Sequence, residues 1–117
     1  MELNELTFAS AQPVDGYGPG FFRVGGEVIE GAAFLLPERA RRWDGDSAAI
    51  VAAAGEMDVL LLGMGADVAV PDDDFVAAIE AAGIGVEIMS SPSACRTYNV
   101  LLSEGRRIGA ALHPVTE

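Results

Sequence analysis

Near the middle of the chain runs Val59-Leu60-Leu61-Leu62-Gly63-Met64-Gly65, from which its fold class follows. Four aliphatic residues in a row predict a strand that is buried on both faces, as at the centre of a sheet. The glycines that follow indicate a tight turn and a loop that runs to Pro71. Asp72-Asp73-Asp74 then open a predicted helix, which Gly83 ends. The stretch therefore predicts a strand, a loop and a helix in that order.

The same alternation repeats towards the C terminus. Residues 84–89 predict a second strand, and Ser91-Pro92 predicts a second helix with the Ser91 hydroxyl as its cap and proline in its first turn. Gly105 ends that helix, and residues 106–112 predict a last strand. Strands that alternate with helices predict a sheet with crossover helices. We expect the turns that follow the first two of these strands to open side by side.

The N-terminal half predicts mainly strands. Residues 21–24 and 27–30 flank Gly25-Gly26, a pair able to adopt the positive φ angles of a hairpin turn. Residues 1–20 predict an irregular segment. Gly31 predicts a bulge or a bend before a further strand, which ends at Pro37.

A segment of mixed charge connects these strands to the central stretch. Residues 39–46 predict a loop in which Trp43 covers an edge of the core. Ser47 is predicted to cap, through its hydroxyl, a short helix that runs through Ala54 and is closed by Gly55.

Composition limits the functions that the chain can have. Its 117 residues, half of them apolar, predict one domain spanning residues 1–117. The net charge of −11 disfavours nucleic acids and anionic lipids as partners. All seven basic residues are arginines, which excludes lysine Schiff bases and Walker-type phosphate loops.

Cysteine content and hydropathy bear on the compartment. Cys95 is the single cysteine, which is typical of a reducing compartment. No targeting pattern is visible at the N terminus, and the apolar runs are short for a membrane span, which needs about 20 residues. We therefore expect a cytoplasmic protein without membrane insertion.

Several short motifs resemble those of a known family. They are Val59-Leu60-Leu61-Leu62-Gly63-Met64-Gly65, Pro71, Val86-Glu87-Ile88-Met89, Ala94-Cys95-Arg96-Thr97-Tyr98-Asn99-Val100-Leu101, Glu104-Gly105-Arg106 and Ala110-Ala111-Leu112, with Tyr17-Gly18, Phe21, Val24 and Ala33-Phe34-Leu35-Leu36-Pro37 in the N-terminal half. Over roughly residues 6–113 the chain resembles the small domain family of unknown function that includes mitochondrial complex I (NADH:ubiquinone oxidoreductase) assembly factor three and the adipogenesis-associated single-domain protein. Residues 97–106 are the most specific part of the resemblance.

The resemblance implies a fold and a broad role. The fold is α/β in three layers, with a central mixed sheet of about five strands flanked by helices and an N-terminal β-hairpin. The mitochondrial relative acts by binding other proteins. The resemblance thus implies a binding or assembly module, with a role in respiratory complex assembly and a protein partner, and it implies little about activity. We expect no cofactor.

The alternative to a protein-binding role is a small-molecule or anion-binding domain, with enzymatic activity left open, and the sequence contains a candidate pocket for it. Its crevice would lie between the Gly63–Pro71 loop and the helix that starts at Ser91. Backbone N–H groups, hydroxyls and one guanidinium could hold an anion or a small molecule there, although every helix start offers such N–H groups for plain capping. The candidate lining residues are Gly63, Gly65, Ser91, Cys95, Arg96, Thr97 and Asn99.

Catalytic and metal sites are incomplete in the sequence. Cys95 could be activated only by His113, and nothing in the sequence requires the two to meet, so an inert buried thiol is the simpler interpretation. Asp72-Asp73-Asp74 match the expected acidic first turn of a helix better than a magnesium site. Gly63-Met64-Gly65 is an incomplete dinucleotide-binding motif. We predict no catalytic residues and no metal, and leave open whether identical copies associate.

Overall fold

The computed structural model describes residues 11–116. The strands are β1 (Val14–Gly18), β2 (Phe21–Val24), β3 (Glu27–Glu30), β4 (Ala33–Leu36), β5 (Arg39–Arg42), β6 (Val59–Met64), β7 (Gly85–Met89) and β8 (Ile108–His113). The helices are α1 (Ala48–Ala52), α2 (Asp73–Ala81) and α3 (Ser91–Ser103), and a 3₁₀ turn covers Ala54–Glu56. Part of the segment predicted to be irregular, residues 1–10, lies outside the described residues.

A mixed sheet of five strands forms the centre of the fold, in the order β5-β4-β8-β6-β7. β6 pairs in parallel with both β7 and β8, whereas β4 pairs antiparallel with β8 and β5. Gly63 of β6 lies opposite Met89 of β7, so the two strands end side by side. The predicted α/β fold and its central mixed sheet are confirmed.

A second sheet carries the predicted hairpin. β2 and β3 pair antiparallel across Gly25 and Gly26, which have φ angles of 57° and 85°. β1 adds to β2 as a third strand, so the prediction of an irregular segment is wrong for residues 14–18. Gly31, with φ of 82°, makes the bend that moves the chain from this sheet into the central one.

The central sheet separates two apolar clusters, because successive side chains of a strand point to opposite faces. Leu35, Leu61 and Leu112 point to one face, which we call the α3 face, where α3 and the small sheet cover them. Phe34, Leu60 and Leu62 point to the other, the α2 face, where α1 and α2 cover them. The fold therefore has three layers.

The segment predicted to be a loop contains a strand. Residues 39–42 form β5, whose three arginines are exposed, and only Ala40 is half-buried. An edge strand can carry charges on both faces, so its sequence resembles a loop. Trp43 covers a core edge as predicted, being 6% exposed, and its Nε1 donates to the Asp46 carbonyl oxygen at 2.8 Å.

Two predicted helix caps are wrong. Ser47 makes no capping hydrogen bond, and Asp46 Oδ1 accepts from the Ala48 amide instead, at 3.3 Å. For α3, Ser90 is the cap, since its Oγ accepts from the Ser93 amide at 3.3 Å. The Ser91 hydroxyl, one residue further on, is therefore free for long-range contacts.

Candidate functional site

Ser91 joins three chain segments at the carboxyl ends of β6 and β8. Its Oγ donates to the His113 carbonyl oxygen at 2.6 Å and accepts from the Gly65 amide at 2.9 Å. Its own amide donates to the Gly65 carbonyl oxygen at 2.7 Å. Ser91 is fully buried. The hydroxyl and the amide of Ser91 are thus both used to join these segments.

Gly63 permits that joint to close. A Cβ at Gly63 would lie 2.9 Å from Ser91 Cα and 2.9 Å from Leu112 Cδ2. Real Cβ atoms do not approach other heavy atoms that closely, so α3 packs against β6 only because this residue is glycine. Ser91 thus occupies the space beside Gly63 where the predicted crevice would begin.

Cys95 and Arg96 face different surroundings. Cys95 is 5% exposed in the α3-face cluster, and burial raises the pKa of its thiol to about 11. Arg96 is exposed, and its guanidinium donates to Ser93 Oγ at 3.2 Å. A buried protonated thiol is a poor nucleophile. The thiol and the guanidinium therefore do not face one common space.

Asn99 attaches β1 to α3. Its Oδ1 accepts from the Val14 amide at 2.8 Å, and its Nδ2 donates to the Val14 carbonyl oxygen at 2.9 Å. Thr97 is half-buried on the same helix. Of the seven predicted lining residues, the structure brings together Gly63, Gly65 and Ser91 and places the other four elsewhere on α3. Ligand binding by this set stays a prediction.

The cleft beside the Gly63–Pro71 loop opens on the α2 face instead. It has a volume of about 350 Å³. Its lining comprises Gly45, Leu62, Met64, Pro71, Asp72, Phe75 and His113. The Trp43 ring packs beside two of these side chains. Its centroid lies 5.0 Å from the centroid of the His113 ring and 6.0 Å from that of the Phe75 ring. The walls are thus mainly apolar and aromatic.

Its polar groups have limited chemical capacity. Burial lowers the pKa of His113, which favours the neutral imidazole at neutral pH. Asp72 Oδ2 accepts from the Phe75 amide at 3.3 Å and caps α2. Cys95 and His113 lie on opposite faces of the sheet and form no catalytic pair. Within residues 11–116, no three His, Cys, Asp or Glu side chains gather as a metal site.

Sequence reasoning missed this cleft, although a signal for it existed. His113 directly follows Leu112 in β8, so their side chains point to opposite faces. The helix containing Cys95 covers the Leu112 face, which assigns His113 to the other one. Alternation along β8 therefore could have shown from the sequence that His113 and Leu112 lie on opposite faces.

Charge is distributed unevenly along the chain. Residues 43–95 contain ten acidic residues and no basic one. The acidic residues are Asp44, Asp46, Glu56, Asp58, Asp67, Asp72, Asp73, Asp74, Glu80 and Glu87. The same part exposes apolar side chains, among them Val68 (66% exposed), Val70 (92%) and Ile88 (41%). This part of the chain therefore exposes both acidic and apolar side chains, although Glu56 pairs with Arg39 and Asp58 pairs with Arg107.

A family model described as "Protein of unknown function (DUF498/DUF598)" matches residues 14–113. The chain belongs to this family. The match runs from the first residue of β1 to the last residue of β8. It therefore includes both sheets and all three helices of the described structure.

Relatives of this DUF498/DUF598 chain differ in how far they are characterised. An uncharacterised protein of Rhodobacter capsulatus is 52% identical, over 98% of this chain and 94% of its own length. The human protein named NADH dehydrogenase [ubiquinone] 1 alpha subcomplex assembly factor 3 is 29% identical, over 97% of this chain and 67% of its own length. The chain spans about two thirds of the length of such assembly factors.

A solved structure shares the fold. The crystal structure of a Bordetella parapertussis protein superposes with a TM-score of 0.77 at 33% identity, covering 90% of this chain and 97% of the other. The three-layer arrangement is thus a property of related chains as well. Among the helices of the described residues, none has the length and apolar character required to cross a membrane.

Proposed function

We propose that this chain is a protein-binding module that assists the assembly of a respiratory complex. The observation that carries the proposal is its similarity, over 97% of its residues, to a human protein named as a complex I assembly factor. The shared region includes the elements that build both sheets. A role in assembly requires a surface that holds another polypeptide. We infer that residues 43–95, with their acidic and apolar side chains, contribute to that surface.

The charge distribution supports this role. Residues 43–95 contain ten acidic residues and no basic one. Glu56 pairs with Arg39 and Asp58 with Arg107, and the remaining excess of negative charge attracts polypeptides that carry lysine and arginine. Exposed Val68 and Val70 add apolar area beside those charges. Apolar area with a charged rim is typical of surfaces that bind proteins.

Affinity capture tests the proposal. A tagged chain, expressed from its own locus in the native host, is purified under mild conditions and its partners are identified by mass spectrometry. We expect subunits of the respiratory NADH dehydrogenase among them. Fractionation of the same cells tests the predicted cytoplasmic location.

Deletion of the gene gives an independent measurement. We expect less assembled NADH dehydrogenase in native gels of membranes from the deletion strain, with restoration by a plasmid copy. Normal amounts of the assembled complex, together with capture of no subunit of it, would contradict the proposed function.

A further inference from the structure

The outer side of β7 is an open sheet edge. Within the described residues, β7 pairs with β6 alone. The Gly85 amide donates to the Asp58 carbonyl oxygen at 2.9 Å, so Gly85 directs its backbone groups towards β6. Backbone groups alternate sides along a strand, so Val86 and Ile88 direct their N–H and C=O groups outward. Two donors and two acceptors therefore face away from the sheet.

The β7 side chains form a simple pattern on its two faces. Val86 and Ile88 lie opposite Leu60 and Leu62, so they belong to the α2 face, where Ile88 is 41% exposed. Glu87 lies opposite Leu61, so it belongs to the α3 face, and it is exposed. The edge is thus apolar on one face and acidic on the other.

The other edge of the same sheet is protected. β5 exposes Arg39, Arg41 and Arg42, and such charges discourage the addition of a further strand. β7 has one charged residue, Glu87, and it belongs to the α3 face, so β7 itself puts no charge on the α2 face. A strand that adds to the sheet therefore fits β7 better than β5.

We propose that β7 docks an extended segment of another protein, which joins the central sheet as an additional strand. Main-chain hydrogen bonds to Val86 and Ile88 would hold it, as in other cases of strand addition. Its residues beside those two are apolar, and its residue opposite Glu87 is basic. The net charge of −11 favours further basic residues in the docked segment. This inference rests on the proposed function, because it describes how the partner binds.

A second copy of the chain suits this edge less well. In a symmetric antiparallel pair of β7 strands, the central Glu87 of one copy would lie near Glu87 of the other, and like charges opposite one another destabilise a sheet. Each copy also carries a net charge of −11. Charge complementarity therefore assigns the edge to a basic segment of a different protein.

Amide hydrogen exchange with a synthetic peptide tests the proposal. The probe is a short blocked peptide of alternating valine and lysine, and the control peptide has glutamate in place of lysine. At saturating probe, we expect the Val86 and Ile88 amides to exchange about tenfold more slowly or better. The glutamate peptide leaves them unchanged, and added salt weakens the protection by the lysine peptide.

Two variants and a matched control locate the effect. Ile88→Lys adds a charge that repels the lysine peptide, and Ile88→Pro removes an outward N–H that no described strand uses. Each lowers peptide affinity about tenfold. Val28→Lys changes an equally β-branched residue that is 52% exposed on edge strand β3 and leaves affinity unchanged. Thermal unfolding establishes whether each variant is folded. If Ile88→Pro does not fold, the affinity of Ile88→Lys alone tests the proposal.

Several outcomes would overturn the proposal. They are absence of protection at Val86 and Ile88, protection at β3 or β5 in their place, equal protection by the glutamate peptide, and an equal loss in Val28→Lys. A sedimentation coefficient of the peptide-free protein that rises with concentration, and no longer does so in Ile88→Lys, would assign the edge to self-association. If the Ile88→Lys variant still captures NADH dehydrogenase subunits in the native host, the partner does not bind at β7, whereas the proposed function stands.

Discussion

The two faces of the central sheet are closed in different ways. On the α3 face, Gly63 and Ser91 meet at van der Waals contact, and Asn99 attaches β1 to the helix through two hydrogen bonds. On the α2 face, the corresponding corner leaves a cleft of about 350 Å³ beside His113. One loop, which starts at Gly65, borders both corners.

The difference shows what each face can do. The α3 face uses its polar groups internally, so substitutions there change stability. The α2 face has space and an imidazole whose nitrogens make no hydrogen bond within the described part of the chain. Substitutions on the two faces should therefore have effects of different kinds and sizes.

Gly63→Ala should destabilise the fold by about 3 kcal/mol, because the new Cβ meets the backbone of Ser91, which cannot move without shifting α3. Chemical denaturation measures the free energy of unfolding. Gly16→Ala is the matched control, since a Cβ at Gly16 would have no described heavy atom within 4 Å. Equal costs at both positions would contradict the close contact at Gly63.

The Cys95 thiol should react with iodoacetamide at neutral pH about 100-fold more slowly than a free peptide thiol, and burial slows it further. The reason is that burial raises its pKa from 9.0 to about 11. Mass spectrometry over time gives the rate, and a urea-unfolded sample shows the unprotected rate. A thiol as fast as the peptide would show that the α3 face is open to solvent.

Ser91→Ala should lower the free energy of unfolding by about 2 kcal/mol, because the Gly65 amide and the His113 carbonyl oxygen lose their partner in a buried position. Thermal and denaturant unfolding measure the loss. Ser103→Ala, at an exposed position of the same helix, serves as the control. If Ser91→Ala costs no more than that control, the joint contributes little.

Stability should depend on pH through His113. Burial lowers its folded pKa below 6.5, so the unfolded chain binds the proton more readily. The stability that the neutral imidazole contributes is therefore complete above the unfolded pKa of 6.5. It is lost as the pH falls from there through the lower pKa of the folded state. Unfolding at several pH values should show a smaller loss on acidification in His113→Gln than in the wild type. Identical pH profiles would contradict a half-buried neutral imidazole.

Tyr98→Phe should have the smallest effect, a gain of under about 1 kcal/mol. Tyr98 is fully buried on the α3 face, and its hydroxyl has no hydrogen-bond partner among residues 11–116. Burial also raises the pKa of this phenol. Removing an unpaired buried hydroxyl removes a desolvation cost. A clear loss of stability would mean that the hydroxyl has a partner, such as a buried water molecule.

Much of the fold could be predicted because local patterns agree with it. Gly25-Gly26 predicted the hairpin, and residues 59–62 predicted the buried strand, since turn chemistry and hydrophobic runs are local properties. β1 and β5 were missed because their stability is not local. β1 is stabilised by its hydrogen bonds to Asn99 and its pairing with β2, and β5 by its pairing with β4. The arginine-rich sequence of β5, taken by itself, is typical of a loop.

The candidate site was harder to predict than the fold. A glycine loop after a central strand indicated the right corner of the sheet, but not which side of it is open. That depends on Ser91, which lies one residue beyond the cap and fills the space beside Gly63. Because the cap is Ser90, the Ser91 side chain is available to bond Gly65 and His113, and it fills the α3 side of the corner.

The position of β8 affects how the chain can fold during synthesis. β8 lies between β4 and β6, although it follows both along the described chain. Until residues 108–113 leave the ribosome, β4 and β6 cannot be joined and the aliphatic strand at residues 59–64 lacks one neighbour. An emerging chain therefore has two separate strand pairs, β4 with β5 and β6 with β7, until β8, the last of the described strands, is translated and joins them.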